Sequence, residues 1–241
     1  MTLSAQYLAT RRSLHGAAEL LLAGPAYRTA ERIRLEVEST GFRTVVMDGP
    51  VRRLHVAVTP HGADLVVDPG SDEGGVEGPS AHHHIPLEGT FADVARTAGI
   101  DAGVPADLYD DHADLGLEDE IELDAGAVRA IVDWFVAGDA ALRELAAAAG
   151  NDEKPVLWPE HFDVALSLDE VNYGVSAGDA TIAAPYAYVG PWQQRRGDFW
   201  NQTFGAARTL DELRAGGTDE ELRANLLAFF DEGRRRASES A

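Results

Sequence analysis

Cysteine is absent from all 241 residues. That removes disulfides, thiolate metal sites, iron–sulfur clusters and cysteine nucleophiles, and nothing in the chain needs an oxidising compartment. Lysine is almost absent: Lys154 stands alone, and the other basic residues are arginines. No run approaches the roughly 18 to 20 apolar residues of a membrane span. The nearest is Leu20–Ala26, LLLAGPA, which follows a faintly twin-arginine-like Arg11-Arg12. His15 and Glu19 interrupt it, and Leu3, Tyr7, Leu14, Ala18 and Leu21 recur at helical spacing. The pattern predicts an amphipathic helix ended by Gly24-Pro25 in a cytoplasmic protein, rather than an export signal.

Several motifs are missing as well. There is no phosphate-binding G-x-x-x-x-G-K-[ST] loop, no strand–G-x-G-x-x-G–helix unit and hence no nucleotide-cofactor motif. A G-x-S-x-G elbow and an H-E-x-x-H helix are also absent. Positive charge is scarce: the net charge is −21. From Leu54 to Val128 seventeen acidic residues face a single base, Arg96. Such a field repels phosphate backbones and anionic lipid, so neither nucleic acid nor a membrane is an expected partner.

What is present reads as a folded protein: 45% apolar and 25% charged residues, with length for one large domain or two small ones. Ile33–Val37, Phe42–Met47, Leu54–Val58 and Asp64–Val67 alternate as an antiparallel meander with one wet face. Asp68–Ser80 is an acidic loop, and His82–Leu87 a short strand. Thr90 with Asp93 opens a short helix ending at Gly99, and Asp124 caps a long one to Ala149. Strands follow at Phe162–Leu168, Val171–Ser176 and Tyr186–Val189. Thr209 with Glu212 and Thr218 with Glu221 open two closing helices. The class is α+β: an antiparallel sheet core with packed N-terminal, central and C-terminal helices. Residues 1–150 and 155–241 form two halves, joined at Gly150–Pro155 and packed as one unit.

Three clusters carry chemistry. His82 and His84 share a strand face, as ligands of a divalent metal must. Glu88 follows at cupin-like spacing, although Pro86 and the helix at Thr90 break the strand that a cupin would continue. A solvated polar loop is the bland reading. The acidic run Asp107–Asp124 fails the calcium-loop pattern, because its Gly arrives one place late and position twelve is Ile121. It reads as a solvated face, or as part of an acidic interaction module over residues 100–124. The third cluster begins at LWPEHFD, where Trp158, Glu160, His161 and Asp163 crowd together. Asn172, Tyr173, Tyr186, Tyr188, Trp192, Trp200 and Asn201 follow. Aromatics with polar tips among Gly and Pro commonly line ligand pockets, and they also fill cores. If Phe162 starts the strand, His161 and Asp163 share a face and form a His–carboxylate pair.

The segments LWPEHFD, NYGVSAGD and PYAYVGPW, with LHGAAELLLAGPAYR nearer the N-terminus, resemble an uncharacterised actinobacterial protein family. The likeness covers most of the chain. It implies a bacterial, cytoplasmic protein and transfers no catalytic residue.

The expected function is small-molecule binding in an aromatic-lined pocket around residues 158–201. Trp158, Tyr186, Tyr188, Trp192 and Trp200 would form its walls, and Asn172, Tyr173 and Asn201 would join them. The alternative is a metal-dependent or general acid–base enzyme, hydrolase-like, using His161 with Glu160 or Asp163. The cofactor, the reaction and the oligomeric state are not specified by the sequence.

Overall fold

Thr10, Ser13 and Glu19 lie buried on the N-terminal helical run, and each holds the backbone of a distant loop. The computed structural model describes residues 3–45, 53–68, 82–105, 108, 113–214 and 216–239. In it Thr10 Oγ1 accepts from Asp124 N at 2.8 Å, Ser13 Oγ from Glu122 N at 2.9 Å, and Glu19 Oε2 from Ala113 N at 2.8 Å. Buried polar groups must be paired, and here the pairing ties residues 113–124 onto the helix.

That run comprises α1 (Ala5–Gly16), a π-helical stretch (Ala17–Ala23) and α2 (Gly24–Ala30). Gly24-Pro25 does not end it, contrary to the sequence expectation. The ladder widens to π spacing just before Pro25, which has no N–H to give. The Leu20 carbonyl takes the Gly103 N–H instead, at 2.7 Å. A Cβ on Gly24 would lie 1.9 Å from the Gly103 carbonyl oxygen, so glycine is required there.

The chain divides into two compact units. One comprises Ser4–Val132 with Leu157–Phe162. In it β1 (Leu35–Glu38), β2 (Gly41–Thr44), β3 (Arg53–Thr59), β4 (Gly62–Asp68) and β5 (His83–Pro86) pair antiparallel in sequence order. Phe42, Val56 and Leu65 are opposed across the strands on the buried face. The wet face carries cross-strand polar pairs: Arg43 with Glu36 at 3.2 Å and Glu38 at 2.6 Å, and His84 Nδ1 with Asp64 Oδ2 at 3.3 Å. Such pairs fix register more than they stabilise. α3 (Phe91–Ala98) opens with the expected Thr90–Asp93 capping box and closes at a left-handed Gly99. The expected strand to Met47 stops at Thr44, and Met47 lies outside the described residues, as does the expected acidic loop from residue 69 onward. The acidic run is described only in part.

The other unit comprises Asp133–Val156 with Asp163–Ala241. The boundary therefore falls inside α4 (Ala125–Ala148), not at Gly150–Pro155. The physical reason is packing: the first turns of α4 bury Val128, Ile131 and Val132 with the N-terminal unit, and the later turns bury Phe135 and Leu142 with the other. β6 (Val156–Trp158) pairs with β1 through Leu157 and Leu35, which returns LWPEHF to the first unit. β7 (Asp163–Leu168), β8 (Val171–Ser176), β9 (Tyr186–Pro191) and β10 (Ala206–Thr209) then form an antiparallel meander. Asp169 and Glu170 join β7 to β8 with φ of 51° and 61°. Two left-handed residues make the turn whose twist matches a hairpin. After α5 (Leu210–Arg214), α6 (Asp219–Ser238) buries Leu222, Leu226, Phe229 and Phe230.

Two glycines let helices approach the β7–β10 strands. A Cβ on Gly138 of α4 would lie 2.1 Å from Val175 Cγ2, and one on Gly233 of α6 would lie 2.7 Å from Val189 Cγ2. Tyr173 shares that face and packs edge-on against Phe230, ring centroids 6.1 Å apart. The fold is α+β, with antiparallel strands and packed N-terminal, central and C-terminal helices.

Candidate functional site

The corner at LWPEHFD is built around Phe162. Its N–H reaches back to the Trp158 carbonyl at 2.8 Å, closing a single helical turn, and its own φ is 49°. A left-handed aromatic residue is strained and persists only where packing over-determines it. The ring is buried, stacked on His15 at 5.4 Å and 11°, and meets Phe42 edge-on at 5.8 Å. The His15 Nε2 donates to the Pro159 carbonyl at 2.7 Å, so the same imidazole holds both backbone and ring. The Trp158 indole lies under the Arg34 guanidinium, 5.3 Å from its centroid. Much of the expense of this run is therefore structural.

The expected His161–Asp163 pair rested on strand alternation through Phe162. The strand begins only at Asp163, and the left-handed Phe162 breaks the alternation. His161 is exposed and Asp163 is buried. Glu160 is half-buried, and its Oε2 is enclosed without a hydrogen bond. Trp158, Glu160 and His161 fall in the N-terminal unit, whereas Asp163 and the later candidates fall in the other.

In that second unit the two tyrosines of PYAYVGPW each donate a hydroxyl to a carboxylate, Tyr188 to Asp163 and Tyr186 to Asp179. Asp179 Oδ1 also accepts from Thr181 N and Ile182 N, both at 2.7 Å, so it organises its own turn. Burial, with the adjacent carboxylates, pushes both phenols well above their ordinary range and keeps them protonated donors. The Tyr188 ring crosses Gly174, where a Cβ would come within 2.5 Å of Cζ, which explains the glycine in NYG. Asn201 caps the start of β10, accepting from Ala207 N at 2.9 Å and donating to its carbonyl at 3.1 Å. Trp200 packs edge-on against Phe199, 4.8 Å away.

Two candidates lie beside open space. Asn172 Oδ1 accepts from Ser167 Oγ at 2.7 Å and from the Trp192 indole N–H at 3.1 Å. That contact fixes an indole that is 65% exposed, at the rim of a cleft of about 170 Å³ with Arg195 and Phe204. Tyr173 lies on the opposite face of β8. It is fully buried, and its hydroxyl has no hydrogen-bond partner. It lines a cavity of about 430 Å³ together with Asp169, Val171, Asp231, Arg234 and Arg235. Burial raises the phenol pKa, so this hydroxyl too stays a donor. Arg195 links the two spaces: it lines the cleft, and its Nη2 donates at 2.7 Å to the carbonyl of Ala237, which lines the cavity.

Sequence reasoning singled out Tyr173 but missed its charged neighbours. The run Arg234–Arg236 reads as a complement to the dipole of the last helix, and Asp169-Glu170 carries no Asn-Gly signature of a hairpin turn. His82 and His84 are exposed on the wet face of β4 and β5. They face Asp68 and Asp64 with Nδ1 at 2.5 and 3.3 Å. Among the described residues no three His, Asp or Glu side chains are grouped to hold a metal ion. No described helix is long and apolar enough to cross a membrane. Compared with protein-family models, curated proteins and solved structures, the chain matches none.

Proposed function

We propose that the protein binds a small polar molecule in the cavity between β8 and α6. One observation carries this reading: Tyr173, a residue lining that space, has a buried hydroxyl without a hydrogen-bond partner. Enclosing a hydroxyl without a partner costs about 1–3 kcal/mol. A ligand with a hydrogen-bond acceptor removes that cost on binding. At about 430 Å³ the cavity falls within the range of small-molecule pockets, roughly 300–1,000 Å³, and the Trp192 cleft falls below it. This refines the expected aromatic pocket: Tyr173 belongs to it, and Trp192 stands at a neighbouring rim. The reading takes the protein to act in the cytoplasm, in keeping with its lack of cysteine.

Ligand-observed NMR with a library of small polar fragments tests it, using wild type, Tyr173→Phe and Arg234→Gln in parallel. Some fragments should bind wild type and weaken about tenfold or more in both variants, the worth of one charge-assisted hydrogen bond. A library without a binder, or binders indifferent to both changes, would overturn the reading.

A further inference from the structure

Resting on that binding role, the structure assigns a ligand class: we propose that the cavity takes a zwitterion of the α-amino-acid type. Its carboxylate would meet the Tyr173 hydroxyl and Arg234, and its ammonium would meet Asp231 and Asp169.

Two carboxylates and two guanidinium groups line one space. A ligand of single sign would find as much repulsion as attraction there. A molecule with both signs a few bonds apart satisfies both sets.

The partners of these groups sort their roles. Arg235 is engaged by Glu239 at 2.9 Å. Arg234 holds Asp169 only loosely, at 3.4 Å, and the Asp169 side chain is 75% exposed. Exposed pairs of that kind contribute little and open readily. Arg234 is thus the cation available to a carboxylate, which it can grip with two parallel N–H groups. The Asp231 side chain makes no hydrogen bond or ion pair among the described residues, so its carboxylate is free for an ammonium group. Ala237 and Ser238 bring the C-terminal end of α6 to the same cavity, where the helix dipole also favours a cation.

The Tyr173 hydroxyl completes the site. Tyr173 is the one aromatic among the described lining residues, set in the strand floor and fixed edge-on against Phe230. A tyrosine hydroxyl can donate to a carboxylate or accept from an ammonium, and the Arg234 guanidinium in the same lining favours the carboxylate. The charged groups therefore set the orientation, with the carboxylate toward Arg234 and Tyr173 and the ammonium toward Asp231.

Isothermal titration of the full-length protein tests this, with each common L-α-amino acid and with its matched decarboxylated amine and deaminated acid. At least one amino acid should bind about tenfold or more tightly than both of its halves, since each half forfeits one charge-assisted contact. Asp231→Asn should weaken that amino acid while leaving its deaminated acid unchanged. Tyr173→Phe and Arg234→Gln should weaken the amino acid and the acid alike. An amine or an acid that binds as well as its parent would overturn the zwitterion while leaving the binding role standing. So would a panel that fails wholly where polar fragments succeed. If neither the panel nor the fragments bind, both proposals fall. Circular dichroism of each variant separates lost binding from lost folding.

Discussion

A hydroxyl that is buried and unpaired is a cost the folded protein carries in its free state, and Tyr173 has one. Deleting it should therefore do the opposite of most core changes. Tyr173→Phe is expected to leave stability unchanged or raise it by about 1 kcal/mol in urea unfolding. A loss of that size or more would mean the hydroxyl is paired and would remove the ground for the cavity proposal. Phe162 is the contrasting case. Its strained backbone is held by the ring's contacts with His15 and Phe42. Phe162→Ala should cost about 3 kcal/mol or more, the usual loss for a buried phenylalanine, and a cost under about 1 kcal/mol would contradict the plug role. Both residues stand in runs that the sequence marks as unusual. Which of them packs and which faces a cavity was not legible there, because polar-tipped aromatics serve either purpose.

At the scale of elements, much of the fold was readable. The capping boxes at Thr90, Thr209 and Thr218 form as their spacing predicts, because the reciprocal hydrogen bonds are local. The meander strands were legible from alternation, which reports one wet face. β6 and β10 were not: the three residues of β6 are too few to show a period, and Ala206-Ala207 of β10 carry no strand preference. Pro25 misled for a related reason: its cost is met by Gly103, far away in the chain. Gly138 is likewise explained only by what it touches. Alanine there gains helix propensity, about 1 kcal/mol, and drives a methyl group into Val175 at 2.1 Å. Overpacking costs roughly 1–3 kcal/mol and should win. Gly138→Ala is expected to lower the thermal midpoint, and adding Val175→Ala to recover part of the loss. If Gly138→Ala stabilises the protein, the close approach of α4 to β8 is wrong.

At the scale of the whole molecule, the boundary between units was not legible from composition, because a continuous helix crosses from one to the other. Four tyrosines, Tyr7, Tyr173, Tyr186 and Tyr188, have phenols raised chiefly by burial. Their protonated forms are favoured in the native state. The stabilisation is intact below the unfolded pKa of about 10 and is lost as pH rises above it, because only the unfolded chain then releases protons. The protein should unfold cooperatively in alkali, with phenolate absorbance from these residues appearing together with the loss of circular dichroism. Phenolate absorbance that saturates before any unfolding would contradict their burial.

The central claim is that the space beneath Tyr173 is a binding site. The most direct measurement is a crystal structure grown with the tightest-binding fragment or amino acid. The account predicts that molecule between β8 and α6, with an acceptor atom within hydrogen-bond distance of the Tyr173 hydroxyl. A ligand bound elsewhere, with that hydroxyl paired to protein or to water alone, would contradict it.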